Sequence, residues 1–149
     1  ALRADLRAGA GAVSPEFHLR LAGALQLALA ALHLGFPRRF DWASELPRLS
    51  LLNRQVFVVH TIFIALVVLM FGALSCFAAP ALLEPSPLSR LVLGGLATFW
   101  AVRLAVQWLV YDKRLWRGHA ANTRMHLALT ALYVYLPGVY GWALLGQLG

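Results

Sequence analysis

Four apolar runs, each about as long as a membrane crossing, constrain the fold of this chain more than any other feature. A transmembrane helix needs about 20 predominantly apolar residues to cross the hydrocarbon core. The composition agrees, because 60% of the residues are hydrophobic and only 13% are charged. We therefore predict an all-α integral membrane protein, a four-helix bundle forming a single domain over residues 1–149. Its predicted spans are residues 17–36, 56–78, 91–111 and 125–145.

Basic residues are concentrated in the two loops that a four-span chain places on the same side. The first loop, 37–55, carries four arginines, and the third, 112–124, carries three arginines and a lysine, whereas the second, 80–90, has only Arg90. Cytoplasmic loops are enriched in Lys and Arg, so we predict a bacterial-type inner membrane with both termini outside. Because this rule explains the net charge of +7, and because no recognition motif accompanies the charge, we expect no nucleic-acid partner.

The first loop has a helical pattern of its own. Trp42, Leu46, Leu49 and Leu52 recur near helical spacing, and polar residues fill the positions between them. This pattern is typical of an amphipathic helix at a membrane surface, so we predict a short interfacial helix between the first two spans. Residues 1–15 include an Ala/Gly-rich stretch and are predicted to form a flexible tail.

The third span carries the strongest polar pattern. Trp100, Arg103 and Gln107 recur every three or four residues and therefore share one face of a helix. An arginine inside a span is costly and is expected to face protein, a water-filled cavity or an anionic group. Three interpretations stay open, namely a structural arginine, a partner subunit's counter-charge, and an anchor for a carboxylate, a quinone carbonyl or a lipid phosphate. The three residues are thus candidate cofactor-binding residues.

Four histidines are predicted near the cytoplasmic ends of the spans, and they are His33, His60, His119 and His126. Imidazole ligates metal ions, haem iron and chlorophyll magnesium, and helix bundles build such sites from facing side chains. We consider all four candidate metal ligands, with a metal, haem or a chlorophyll-type pigment as the cofactor. The alternative is that each histidine is an interfacial side chain, because the sequence has no His-x-x-x-His motif and no acidic residue within a span.

Two functional hypotheses follow. In the first, the chain is a small structural subunit of a larger respiratory or photosynthetic membrane assembly. It would pack against other membrane subunits through Ala97, Ala101 and Ala105, since small residues at this spacing let helices approach closely in lipid.

In the second hypothesis, the chain is a redox membrane protein in which histidines hold a metal or haem. Arg103 and Gln107 would then orient a quinone-like or lipid substrate. Whether the chain is an enzyme stays open, because no nucleophile or phosphate-binding motif accompanies either pattern.

Overall fold

The computed structural model describes residues 14–116 and 118–149, and within these ranges every regular element is helical. The predicted flexible tail falls almost entirely on residues 1–13, which lie outside the described residues, and Ser14 and Pro15 already belong to the start of the first helix. The helices are α1 (Pro15–Leu32), α2 (Phe36–Arg39), α3 (Trp42–Glu45), α4 (Leu51–Phe77), α5 (Ala79–Leu83), α6 (Pro87–Leu109) and α7 (Ala120–Leu145).

Four helices in the described part of the chain are long and apolar enough to cross a membrane. They confirm the prediction of an all-α, multi-pass membrane protein. Their bounds are Pro15–Arg39, Leu51–Phe77, Pro87–Leu109 and Ala120–Leu145, the first running through α1 into α2.

Polar caps explain why the helices begin before the predicted apolar runs. Ser14, Ser50 and Ser86 each accept a hydrogen bond from the backbone N–H three residues ahead, at 3.0–3.4 Å. Pro15 and Pro87 occupy the first helical positions, where a missing N–H costs nothing. Because these first turns are polar, a search for apolar runs alone does not detect them.

The segment between the first two long helices is less regular than the predicted interfacial helix. α3 is a single turn, a 3₁₀ turn follows it, and the backbone becomes extended at Leu49. Pro47 has no N–H with which to continue the hydrogen-bond pattern of α3. Trp42 packs edge-to-face on Phe57 of α4, with ring centroids 5.0 Å apart, so the segment folds back on the start of α4. Its location at a membrane surface stays a prediction.

The long helices pack as two neighbouring pairs, α1 with α4 and α6 with α7, and α1 also contacts α7. The first pair crosses at Gly23 and Gly72. A Cβ atom at Gly23 would lie 2.7 Å from the backbone nitrogen of Cys76 and 2.8 Å from the carbonyl oxygen of Gly72. Only glycine permits an approach this close, as is common where helices cross in lipid.

The expected alanine face of α6 is not its buried face. Ala101 is exposed, and Ala97 and Ala105 are only half-buried. The face that packs into the protein carries larger side chains, including Leu96 and Trp100, which are 3% and 1% exposed. Close backbone packing therefore occurs at the two glycines of the α1–α4 crossing.

The first and third loops meet at one end of the molecule. Arg39 donates a hydrogen bond from Nη2 to Oδ1 of Asn122 in the first turn of α7, at 2.7 Å. We call the end formed by residues 33–50, 110–116 and 118–119 the basic end. Its described basic residues are Arg38, Arg39, Arg48, Lys113 and Arg114, and its cytoplasmic placement stays a prediction.

Candidate functional site

A polar network deep in the protein joins all four long helices. Gln26 of α1 donates from Nε2 to the hydroxyl of Tyr140 in α7, at 2.5 Å. That hydroxyl lies 2.6 Å from the hydroxyl of Ser75 in α4. The indole N–H of Trp100 in α6 donates to Oε1 of Gln26, at 3.1 Å. All four side chains are at most 1% exposed.

This network is a structural clamp. Each buried polar atom has a partner, as a group deprived of water requires. Trp100, predicted as a cofactor-binding residue, here uses its only hydrogen-bond donor within the protein. Gln26 and Ser75 were not predicted to contribute, because their partners lie on other helices and no spacing within one helix connects them.

A second polar cluster begins one turn beyond Trp100, toward the basic end. The Arg103 guanidinium carbon lies 4.4 Å from the ring centroid of Tyr133 and 5.6 Å from that of Tyr111. Its Nη1 donates to Oε1 of Gln107, at 3.2 Å. Within the described ranges no acidic side chain forms an ion pair with Arg103. Two aromatic faces and one amide oxygen therefore hold this cation, an arrangement favourable for guanidinium.

Gln107 also forms a hydrogen bond with His126. Its Nε2 lies 2.8 Å from Nδ1 of His126 in α7, and the glutamine is 4% exposed. Arginine can only donate, so the amide atom facing Arg103 is the oxygen, and the atom facing His126 is the NH₂ group. Nδ1 must then accept. A neutral imidazole that accepts at Nδ1 carries its hydrogen on Nε2.

The imidazole ring of His126 is also held from its face. The Trp116 ring stacks on it, with centroids 3.9 Å apart and an interplanar angle of 15°. The Nε2–H of His126 has no hydrogen-bond partner among residues 14–116 and 118–149. His126 is therefore fixed in orientation and tautomer.

An open pocket of about 300 Å³ lies beside this histidine at the basic end. We call it the His126 pocket, and its lining residues are Gln107, Trp108, Lys113, Trp116 and His126. The lining thus combines two indoles, one ammonium group and the oriented imidazole of His126. None of the described residues that line it is acidic.

Two neighbouring charges in the third loop, Asp112 and Arg114, engage each other. Asp112 accepts from Nε and Nη2 of Arg114, at 2.9 and 2.6 Å, and from the backbone N–H of Arg114 at 2.8 Å. This carboxylate raises the pKa of the Arg114 guanidinium above its usual value. Among the described residues that line the pocket, Lys113 is the cation.

The other candidate metal ligands are held separately. Nδ1 of His33 lies 2.8 Å from the carbonyl oxygen of Leu29, and Nδ1 of His60 lies 2.8 Å from that of Val56, each within its own helix. His119 is exposed at the start of α7. Among the described residues, no group of three His, Cys, Asp or Glu side chains is placed to hold a metal ion.

The tautomers of these histidines differ as well. A carbonyl oxygen only accepts, so His33 and His60 donate from Nδ1 and keep the lone pair on Nε2. His126 has the opposite arrangement, with its hydrogen on Nε2 and its Nδ1 lone pair occupied by Gln107. A metal needs a nitrogen lone pair, so His126 is poorly suited to ligate one while Gln107 holds it.

Of the predicted site residues, the structure thus brings Arg103, Gln107 and His126 into one cluster and places Trp100 in the neighbouring clamp. Lys113, Trp108 and Trp116 were not among the predicted site residues. Two of them lie on the third loop, and helical periodicity gives no signal for a loop that folds back over a helix.

The opposite end of the protein provides a contrast. A pocket of similar volume, about 300 Å³, is lined by Pro15, Leu83, Trp142, Ala143, Gly146 and Gln147. None of these side chains is charged, and the Gln147 amide already donates to the carbonyl oxygen of Leu82, at 2.6 Å. Among the described residues, this pocket offers a ligand no cation.

No protein-family model, curated protein or solved structure matches this chain. The chemistry of the His126 pocket is therefore interpreted from its own geometry.

Proposed function

We propose that this chain is an integral membrane protein that binds the polar head of an amphiphile, a quinone-like molecule or a lipid, in the His126 pocket. The observation that carries the proposal is the Nε2–H of His126, which has no partner among the described residues and whose ring is held by Arg103 through Gln107. A fixed donor is suited to an acceptor oxygen, such as a carbonyl or a phosphate oxygen, and it is unsuited to a metal ion.

The remaining lining residues support the same ligand class. Lys113 supplies a second, mobile donor that carries a positive charge. Trp108 lines the pocket and is also 57% exposed, and the adjacent Leu109 is 83% exposed. A molecule with its head in the pocket could therefore lay an apolar tail along the outer surface of α6. Amphipathic tryptophan side chains are enriched at the membrane–water interface, where the polar heads of amphiphiles lie.

The test is a binding titration that uses tryptophan fluorescence, because Trp108 and Trp116 line the pocket. The detergent-purified full chain is titrated with a short-chain benzoquinone and, separately, with phosphatidylglycerol. We expect saturable quenching or enhancement with at least one ligand. His126→Ala should weaken that binding by about tenfold or more, since it removes a hydrogen bond to a polar head.

The matched control is His60→Ala. His60 is exposed on α4 and bonds to its own helix, so binding should be unchanged. Equal affinity in the wild type and in His126→Ala, or no saturable binding of either ligand, would contradict the proposal. A Trp108→Phe variant tests whether the optical signal comes from the pocket, because its signal should shrink.

A second candidate function is the structural subunit of a larger membrane assembly. It is favoured by the exposure of α4, of whose most apolar window only 11% is buried, against 33% for the first long helix. The test is the mass of the particle that contains this chain after mild solubilisation of its native membrane. A particle of defined stoichiometry with other subunits supports this role, and a particle of the chain with lipid alone contradicts it.

A further inference from the structure

We infer that the His126 pocket selects an anionic, phosphate-bearing lipid headgroup over an uncharged head. This inference rests on the proposed function of the same pocket and names its ligand class. The juxtaposition that carries it is the oriented imidazole of His126 and a lysine in one open pocket, with no acid among the described residues that line it.

The charges around the pocket are the first argument. Lys113 lines the pocket, and Arg103 lies one helical turn deeper than Gln107 without an ion pair to any described acid. Asp112 is the acid next to Lys113 in sequence. Its carboxylate accepts hydrogen bonds from the side chain and from the backbone N–H of Arg114. The electrostatic environment of the pocket is therefore positive, which favours an anion and gives little to a neutral quinone carbonyl.

The hydrogen-bond chain is the second argument. Arg103 donates to Gln107, and Gln107 donates to His126, so each bond polarises the next. The positive charge of Arg103 therefore strengthens the Nε2–H of His126 as a hydrogen-bond donor. Charge-assisted hydrogen bonds to anionic oxygen are shorter and stronger than bonds between neutral groups, so this arrangement discriminates between a phosphate and a neutral acceptor.

The third argument distinguishes a lipid from free phosphate. The pocket has two indole walls, and the exposed Trp108 and Leu109 continue its apolar surface along α6. Free phosphate would gain nothing from these apolar groups. A headgroup attached to acyl chains would use both the cation and the apolar surface.

The experiment measures lipid selectivity with the full chain in phosphatidylcholine nanodiscs. Phosphatidylglycerol brominated on its acyl chains is compared, as a quencher of tryptophan fluorescence, with phosphatidylcholine brominated in the same way, whose phosphate charge is balanced by its own choline. We expect several-fold preferential association of phosphatidylglycerol. Lys113→Gln should reduce that preference by about fivefold, which corresponds to the contribution of one cation near an anionic lipid surface.

The matched control is Arg38→Gln, which removes the same charge from the first loop at the same end of the protein and leaves the Asp112–Arg114 pair intact. Because Arg38 is exposed and does not line the pocket, the preference should stay within about twofold of the wild type. An equal loss in both variants would indicate a general surface charge and would overturn the inference. Lys113 is exposed, so its replacement tests the site without disturbing the core.

The outcomes separate this inference from the proposed function. Binding of the benzoquinone that depends on His126, without preference for phosphatidylglycerol, overturns the inference and keeps the function. Absence of saturable binding of either ligand overturns both. Displacement of the brominated lipid by inorganic phosphate at comparable concentration identifies the free anion as the ligand and overturns the assignment to lipid.

Discussion

Arg103 sets the tautomer of His126 through one intervening side-chain amide. The guanidinium selects the oxygen of Gln107, the amide then presents its NH₂ group, and Nδ1 of His126 is left to accept. Gln107 without Arg103, or Arg103 without Gln107, would not fix the hydrogen of His126 on Nε2. The chemistry of the pocket therefore depends on a charge that lies deeper in the protein than the pocket itself.

The first prediction concerns this tautomer. We expect ¹⁵N NMR of the imidazole groups to show His126 with its hydrogen on Nε2. Gln107→Glu should move the hydrogen to Nδ1, because a carboxylate accepts where the amide donated. His33 and His60 are internal controls, since both donate from Nδ1 to backbone carbonyls and should be unaffected. An Nδ1–H tautomer of His126 in the wild type would contradict the geometric argument.

The second prediction concerns the clamp. Tyr140→Phe removes the hydroxyl that bonds to Gln26 and Ser75 and leaves buried polar groups with fewer partners. We expect a loss of about 1–3 kcal/mol in the free energy of unfolding, measured by denaturant titration in mixed micelles. Tyr111→Phe is the control, because Tyr111 is exposed and its ring alone faces Arg103. A loss in the free energy of unfolding for Tyr140→Phe no larger than that for Tyr111→Phe would contradict a stabilising role of the clamp.

The third prediction concerns the α1–α4 crossing. Gly23→Ala would place a Cβ atom within 2.8 Å of two backbone atoms on α4, so the helices must separate. Overpacking of this kind costs about 1–3 kcal/mol. Gly95→Ala on α6 is the matched control, because no described atom beyond its chain neighbours and its own helix backbone lies within 4 Å of the added Cβ, and stability should rise slightly since alanine favours helix. Thermal unfolding of both variants in the same detergent measures the difference.

The fourth prediction concerns a buried hydroxyl on the same helix as His126. Oγ1 of Thr130 is buried and has no hydrogen-bond partner among the described residues. Thr130→Val keeps the shape and removes that unmet group, so stability should be unchanged or should rise by about 1 kcal/mol. Thr130→Ser, which keeps the hydroxyl and removes a methyl group, is the comparison. A clear loss of stability in the valine variant would indicate a hydrogen bond through water.

The long helices could be predicted from the sequence because a run of about 20 apolar side chains matches the thickness of the hydrocarbon core of a membrane. The shared face of Trp100, Arg103 and Gln107 could also be predicted, because it depends only on helical geometry. The division of that face into two sites could not. It depends on Gln26 from α1 and His126 from α7, and the pairing of one helix with another leaves no periodic mark on either.

The histidines illustrate the same limit. Their positions near helix ends could be read from the sequence, but the partner of each Nδ1 decides its chemistry. For His33 and His60 that partner is the carbonyl one turn earlier, and for His126 it is an amide on another helix. A shared metal site among them stays a prediction. The described side chains contain no group of three His, Cys, Asp or Glu residues placed to hold a metal ion.

The pairing of consecutive helices has a consequence for the order of events during biosynthesis. α1 and α4 can associate as soon as both have entered the membrane, through the glycine crossing, and α6 and α7 form a second hairpin later. Until that second hairpin arrives, Gln26 has only the carbonyl oxygen of its own Ala22, at 3.0 Å, and Ser75 has no Tyr140. A nascent first hairpin therefore enters lipid with unmet polar groups, and arrival of the second completes them. The clamp therefore becomes fully hydrogen-bonded only when all four long helices are in place.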